Sequence, residues 1–189
     1  MKVRTQFADG EIDYDGSQIG SLWAYREFGL KGDCIVAFVG GCDVKPEYMV
    51  DVEDLRAGEK IFSRKMLHFI AEHFDANLEA AIMRQRLLAA IAKDTIEVNH
   101  PDVGEKIYRI NENLFLGDAK MSVSIATITP VSTKIHFGIN IVSAGTPVKA
   151  AGLEDAGIEA RDYGEAVLAA YAGEIRSACE ARCKVRAAR

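Results

Sequence analysis

The residues best suited to chemistry lie between Asn113 and Val142, in the segment NLFLGDAKMSVSIATITPVSTKIHFGINIV. Lys120 is the sharpest candidate. An ammonium on a strand, facing small polar residues, can hold a phosphate or a carbonyl oxygen where charge develops in acyl transfer. The ordinary alternative is a surface lysine at a strand start after the Gly117-Asp118 turn. Lys120, Ser122 and Ser124 alternate with Met121, Val123 and Ile125, and His136, Gly138 and Asn140 alternate with Ile135, Phe137, Ile139 and Ile141. Successive strand residues point to opposite faces, so the pattern predicts two strands, each with one apolar side and one side of small polar residues that leaves room for a ligand. Asn140 offers a side-chain amide. Gly138 marks either close backbone approach or a bulge. His136 fits a ligand contact, an acid/base group or a hydrogen-bonded core histidine.

Other constellations are weaker. His68-Phe-Ile-Ala-Glu72-His73 has one residue too many for a His-x-x-Glu-His metal helix, and His68 and His73 diverge on helix or strand alike. A hydrogen-bonded His68–Glu72 pair fits better, since the two share a face in either conformation. Asp43, Glu47, Asp51, Glu53 and Asp54 follow Gly40-Gly41, a short phosphate-loop-like pair. Asp51 and Glu53 would share one face of a strand and could hold Mg²⁺ on a nucleotide, or could simply keep an edge strand solvated. Cys34, Cys42, Cys179 and Cys183 contain no Cys-x-x-Cys pair and read as free thiols rather than disulfides or a zinc site.

The elements that must position these groups follow from hydropathy and punctuation. The 189 residues fit one domain spanning 1–189, with 49% apolar and 27% charged residues. Net charge is −5, with both signs interspersed, which argues against nucleic acid and anionic membrane as partners. Arg176, Arg182, Lys184, Arg186 and Arg189 suit the end of a last helix. The polar Met-Lys-Val-Arg-Thr start lacks a signal-peptide pattern, and no apolar run approaches the roughly 20 residues of a membrane span, so a cytoplasmic chain is expected. Short strands are expected at 2–7 and 11–14, a helix at 17–29, and a doubly buried strand at 33–39 broken by Gly40-Gly41. An alternating strand is expected at 48–53, and 66–74 reads as strand or helix. Long helices are expected from Asp75 to about residue 97 and from Asp162 to about residue 185, with a loop at 99–102 and a turn-rich piece from Gly145 and Pro147 to Gly157. The sum is an α/β or α+β fold: a single mixed, largely antiparallel sheet with packed helices.

The order of these features resembles the catalytic domain of biotin- and lipoate-protein ligases. Asn113-Leu114-Phe115-Leu116-Gly117-Asp118-Ala119-Lys120 is similar to the family's Asn-Asp-Leu segment leading to the active-site lysine. Gly138-Ile139-Asn140-Ile141 is similar to its later Gly-Ile-Asn-Val strand. On that alignment residues 66–74 become a strand. Through MVDVED, HFIAEHF, QRLL and KMSVSIAT the chain is also identified as a member of a prokaryotic domain-of-unknown-function family with the ligase-like fold. The resemblance implies a pocket formed by Lys120, Ser122, Ser124, His136 and Asn140, with Gly40, Gly41 and Gly138 at its edge. It implies acyl activation or transfer on a small-molecule carboxylate or its activated ester. ATP with Mg²⁺ would be the cofactors, a protein the acceptor, and a homodimer is compatible. The chain departs from the family at Gly40-Gly41-Cys42-Asp43, where the ligases carry an arginine-containing glycine loop, and at Ser122 and Val123, where they usually carry glycine. A binding or regulatory module without chemistry is the second reading. Hydrolytic editing with His136 or His68 as base is the third.

Overall fold

The computed structural model describes residues 2–146 and 148–188; Pro147 and Arg189 lie outside the described residues. In chain order the elements are strand β1 (Arg4–Glu11), helix α1 (Trp23–Phe28), β2 (Cys34–Asp43), α2 (Val52–Ala57), β3 (Phe62–His73), α3 (Leu78–Asn99) and α4 (Pro101–Gly104). They continue with β4 (Ile107–Ile110), β5 (Asn113–Leu116), β6 (Ala119–Lys120), β7 (Ser122–Ile128), β8 (Thr133–Val142) and α5 (Ala160–Arg182). The expected mixed sheet has five strands in the order β1-β2-β3-β8-β7. Only β1–β2 is parallel; the other pairings are antiparallel. A second, three-stranded sheet, β4-β5-β6, sits beside it.

Two cores cover the two faces of the large sheet. On one face α3 and α5 pack Leu88, Ile96, Val167 and Tyr171 against Leu67, Phe69 and Phe137. On the other, the 12–30 segment packs Tyr14, Ile19 and Trp23 against Val36, Phe38, Met66 and Ile70. The doubly buried Cys34–Phe38 stretch is the central strand its continuous apolar run predicts, and residues 66–74 are strand through His73. No helix among the described residues is long and apolar enough to cross a membrane.

Several local expectations give way to capping and long-range contacts. Residues 4–11 form one strand kinked at Gly10, rather than two. The expected 17–29 helix is split into a 3-10 turn at Ser17–Ile19 and α1, because Gly20 is extended and Leu22 turns left-handed at φ 61°, its N–H bonded to Glu72 Oε1 at 3.0 Å. The expected 48–53 strand is a 3-10 turn at Pro46–Tyr48 followed by α2. There Asp51 caps the helix, and Gly58 closes it at φ 65°. Two termination signals outweigh a short alternation. Asn77 and Glu159 cap α3 and α5, in place of Asp75 and Asp162, and Pro101 and Asp102 of the expected loop open the short helix α4.

Candidate functional site

A cavity of about 410 Å³ opens on the sheet face opposite α3 and α5, at the end where β2, β3, β7 and β8 approach α2 and β6. Ile19, Val44, Ile61, Phe62, Val123 and Ile125 give it apolar walls. Its polar groups come from separate elements. Lys120 is fixed by backbone bonds on both sides: its N–H donates to Lys149 O at 3.0 Å and its carbonyl accepts from Ala151 N at 3.1 Å. Half-buried, its ammonium makes no ion pair among the described residues. Asp51, Asp54, Glu59 and Glu112 also line the cavity, with Lys60. Burial, then the neighbouring charges of Asp51 and Glu59, hold the Asp54 carboxyl above its ordinary range, against the pull of Lys120. Glu112 is engaged by Arg86 at 2.6 Å.

The floor is an aromatic stack. The Tyr14 ring lies 3.8 Å from that of His136 at 14°, and Phe38 stacks on His68 at 4.9 Å. His68 Nδ1 and His136 Nε2 are 3.0 Å apart, and His68 Nε2 is 3.3 Å from Gly40 O. A carbonyl only accepts, so His68 carries its proton on Nε2. Its Nδ1 then accepts from His136 Nε2–H, which leaves His136 Nδ1 as a hydrogen-bond acceptor. Burial pushes the His68 pKa down to about 4 and that of His136 well below its ordinary value, so both rings are neutral. Asn140 donates Nδ2–H to Ala151 O at 3.3 Å and turns to the same cavity.

Lys120, His136 and Asn140 therefore meet at one cavity. The serines are turned differently. β7–β8 pairing sets Ser122 opposite Ile139 and Ser124 opposite Phe137, on the α3 side, while Val123 and Ile125 face the cavity opposite Gly138 and His136. Ser122 Oγ accepts from Leu114 N at 2.8 Å. Ser124 Oγ donates to His136 O at 2.7 Å and accepts from Gln85 at 3.0 Å. Ser124 thus borders the cavity without offering it a free hydroxyl. Gly138 makes room for protein atoms: a Cβ there would lie 3.0 Å from Met66 Cε and 3.2 Å from His136 Nε2. Gly40 and Gly41 do not break β2 into a phosphate loop. A Cβ on Gly40 would sit 1.9 Å from Ile12 O, and Gly41 N–H is taken by Asp13 Oδ1 at 2.8 Å. The two glycines let the 12–14 segment cross the sheet.

The weaker constellations dissolve. Asp51 Oδ1 accepts from Glu53 N at 2.8 Å and Asp54 N at 3.2 Å. Glu53 lies outside the cavity wall. His68 and Glu72 do not bond. Glu72 instead pairs with buried Lys134 at 3.1 Å and Ser132 at 2.7 Å, while His73 bridges Asp33 at 3.2 Å and Tyr171 at 2.8 Å. Among the described residues no group of three His, Cys, Asp or Glu is arranged to hold a metal. The four cysteines are free. Sequence reasoning missed Tyr14, Ser63, Glu112 and Lys60 as cavity residues. Tyr14 carried no local signal, because its stack with His136 joins distant parts of the chain.

Comparison with known proteins places this architecture. The solved structure of a protein of unknown function from Pyrococcus horikoshi superposes with a TM-score of 0.91 at 38% identity, covering 99% of this chain and all (100%) of that one. A biotin protein ligase R40G mutant from Aquifex aeolicus in complex with biotin gives a TM-score of 0.58 at 12% identity, covering 93% of this chain and 71% of that one. That likeness shows a ligase-like fold. The uncharacterized protein MJ0805 of Methanocaldococcus jannaschii is 40% identical over 159 residues, 81% of this chain and 70% of that protein. Residues 3–186 match the model of a domain of unknown function, DUF366, and the chain belongs to that family.

Proposed function

We propose that the cavity binds the acyl part of a small carboxylate or its activated ester, and that Lys120 holds the carbonyl or carboxylate oxygen during acyl activation or transfer. The observation that carries this reading is the placement of Lys120: a half-buried ammonium without an ion-pair partner among the described residues, lining a cavity whose walls are partly apolar. The Aquifex aeolicus ligase of the same fold is in complex with biotin, itself a carboxylate with an apolar chain. In the transfer step an acceptor nucleophile bonds to the carbonyl carbon, negative charge forms on the oxygen beside Lys120, and the bond to the leaving group breaks as that charge collapses. The leaving group departs with the electron pair and takes up the proton that the nucleophile loses. His136 Nδ1 and Asn140 Oδ1 only accept hydrogen bonds, so they can orient the O–H or N–H of the incoming nucleophile or of a polar substituent on the acyl group. A protein side chain is a fitting acceptor.

The donor set does not favour a magnesium triphosphate. Asp51 gives one carboxylate oxygen to the α2 cap, Glu53 lies outside the cavity wall, and Gly40-Gly41 is followed directly by Cys42-Asp43 rather than arginine. Transfer from an activated ester fits better than adenylation. The four carboxylates around the cavity favour a second reading, a binding module without chemistry, because they would repel a phosphorylated acyl donor. Acyl thioesters of graded chain length with hydroxylamine as the trap separate the two. Hydroxamate formation is expected, falling about 100-fold or more in Lys120→Ala, the order of losing one oxyanion donor. Absence of turnover with intact binding would favour the module. Pyrophosphate exchange with ATP and the free acids tests adenylation directly.

A further inference from the structure

A bulge in β3 delivers one more polar group to this cavity. Gly40 pairs with Met66, but Cys42 pairs with Ser63, so two residues of β2 run against three of β3. Without the extra residue Ser63 would share the face of Leu67 and Phe69, which pack in the core under α3 and α5. The bulge turns it instead to the face of Cys42 and Met66, and all three line the cavity. Ser63 is 3% exposed, and its Oγ has no hydrogen-bond partner among the described residues. Its pairing partner, Cys42, is uncharged, as is Met66 on the same face. A buried hydroxyl left without a partner is destabilising, and native proteins rarely keep one unless something else satisfies it.

Resting on the acyl reading above, we infer that Ser63 is a specificity residue: it selects ligands with a neutral hydrogen-bonding group, a hydroxyl, carbonyl or amide, on the part of the acyl chain farthest from Lys120. The spacing suits this. Met66 faces Asn140, whose N–H bonds Met121 O next to Lys120. Ser63 lies beyond Met66 by the two-residue step of the paired β2, roughly 7 Å at about 3.3 Å per residue, because the bulge takes up the third residue of β3. A carboxyl held beside Asn140 and the Lys120 backbone would then leave Ser63 to the other end of a medium-length chain.

The experiment is equilibrium binding of hexanoate, octanoate and decanoate to the full chain, each against its ω-hydroxy derivative. For the chain length that reaches Ser63, the hydroxy acid is expected to bind about 5- to 10-fold tighter than its parent, the range of one net hydrogen bond. Ser63→Ala is expected to erase that preference while leaving the parent acid within about 2-fold, because only the hydrogen bond is removed. Ser63→Cys, which keeps the size and weakens the donor, serves if the alanine variant does not fold. If the parent acids bind but no hydroxy acid is preferred, or if the preference survives Ser63→Ala, a trapped water satisfies the hydroxyl and the inference is overturned while the acyl reading stands. If no acid of the series binds at any length, the acyl reading itself fails, and this inference with it.

Discussion

Acid should destabilise this protein through the His68–His136 pair before its carboxylates respond. Both rings are buried and neutral, joined by a 3.0 Å Nδ1–Nε2 hydrogen bond. Burial lowers the His68 pKa from an ordinary 6.5 to about 4, and that of His136 in the same direction. The folded state therefore binds fewer protons than the unfolded chain. The stability these rings contribute is complete above an unfolded pKa near 6.5 and is lost as pH falls toward 4. For His68 alone the loss is about 2 kcal/mol by pH 5 and about 3 kcal/mol by pH 4, at about 1.4 kcal/mol per pH unit; His136 adds to it. At Asp33, hydrogen bonds from His73 and Phe74 N outweigh burial and lower the pKa below 3.8, so its contribution is lost only in stronger acid. Urea unfolding from pH 7.5 to 4.5 reads the effect. The single tryptophan, Trp23, packs against Phe38, which stacks on His68, and its fluorescence reports the transition. The urea midpoint of the wild type should fall across this window at constant slope. A His68→Gln/His136→Gln variant, with neutral side chains that do not titrate, should be nearly flat. A flat wild-type profile, or an equal fall in the variant, would refute the assignment of two buried neutral imidazoles.

The Glu72–Lys134 pair is fully enclosed, at 1% and 0% exposure. Lys134→Met would leave a buried carboxylate with Ser132 and Leu22 N as partners; a loss of about 3–5 kcal/mol in urea unfolding is expected, part of it restored by adding Glu72→Gln. Gly40→Ala would drive a methyl into Ile12 O and break the Ile12 N–Val39 O bond of 2.8 Å; a loss of about 3 kcal/mol is expected, with lower urea midpoints at unchanged slope. Asp51→Ala removes the α2 cap and should cost about 1 kcal/mol by the same measurement.

What the sequence could convey depended on how local each signal was. The buried β2 run, the two long helices and the alternation in β8 were all legible, because period and apolar content fix them within one element. The ligase-like fold was legible through the Asn113–Lys120 and Gly138–Ile141 segments. The faces of β7 were not. Alternation carries a face only along an unbroken strand, and Met121 lies between β6 and β7, with its N–H on Leu114 O at 2.8 Å. Ser122 and Ser124 therefore turn away from the side that Lys120 reaches. Gly40-Gly41 carried a glycine signal with the wrong cause, a crossing backbone instead of a phosphate. Ser63 was invisible, because its facing depends on a bulge that only the β2–β3 register reveals.

The most direct test of the Lys120 cavity is mass spectrometry of small molecules released from the purified protein, wild type beside Lys120→Ala. The expected result is a carboxylate or acyl derivative retained by the wild type and lost, or reduced about tenfold, in the variant, as for a charge-assisted hydrogen bond of about 1.5 kcal/mol or more. A retained molecule with no carboxyl or acyl group, or one held equally well by Lys120→Ala, would contradict it.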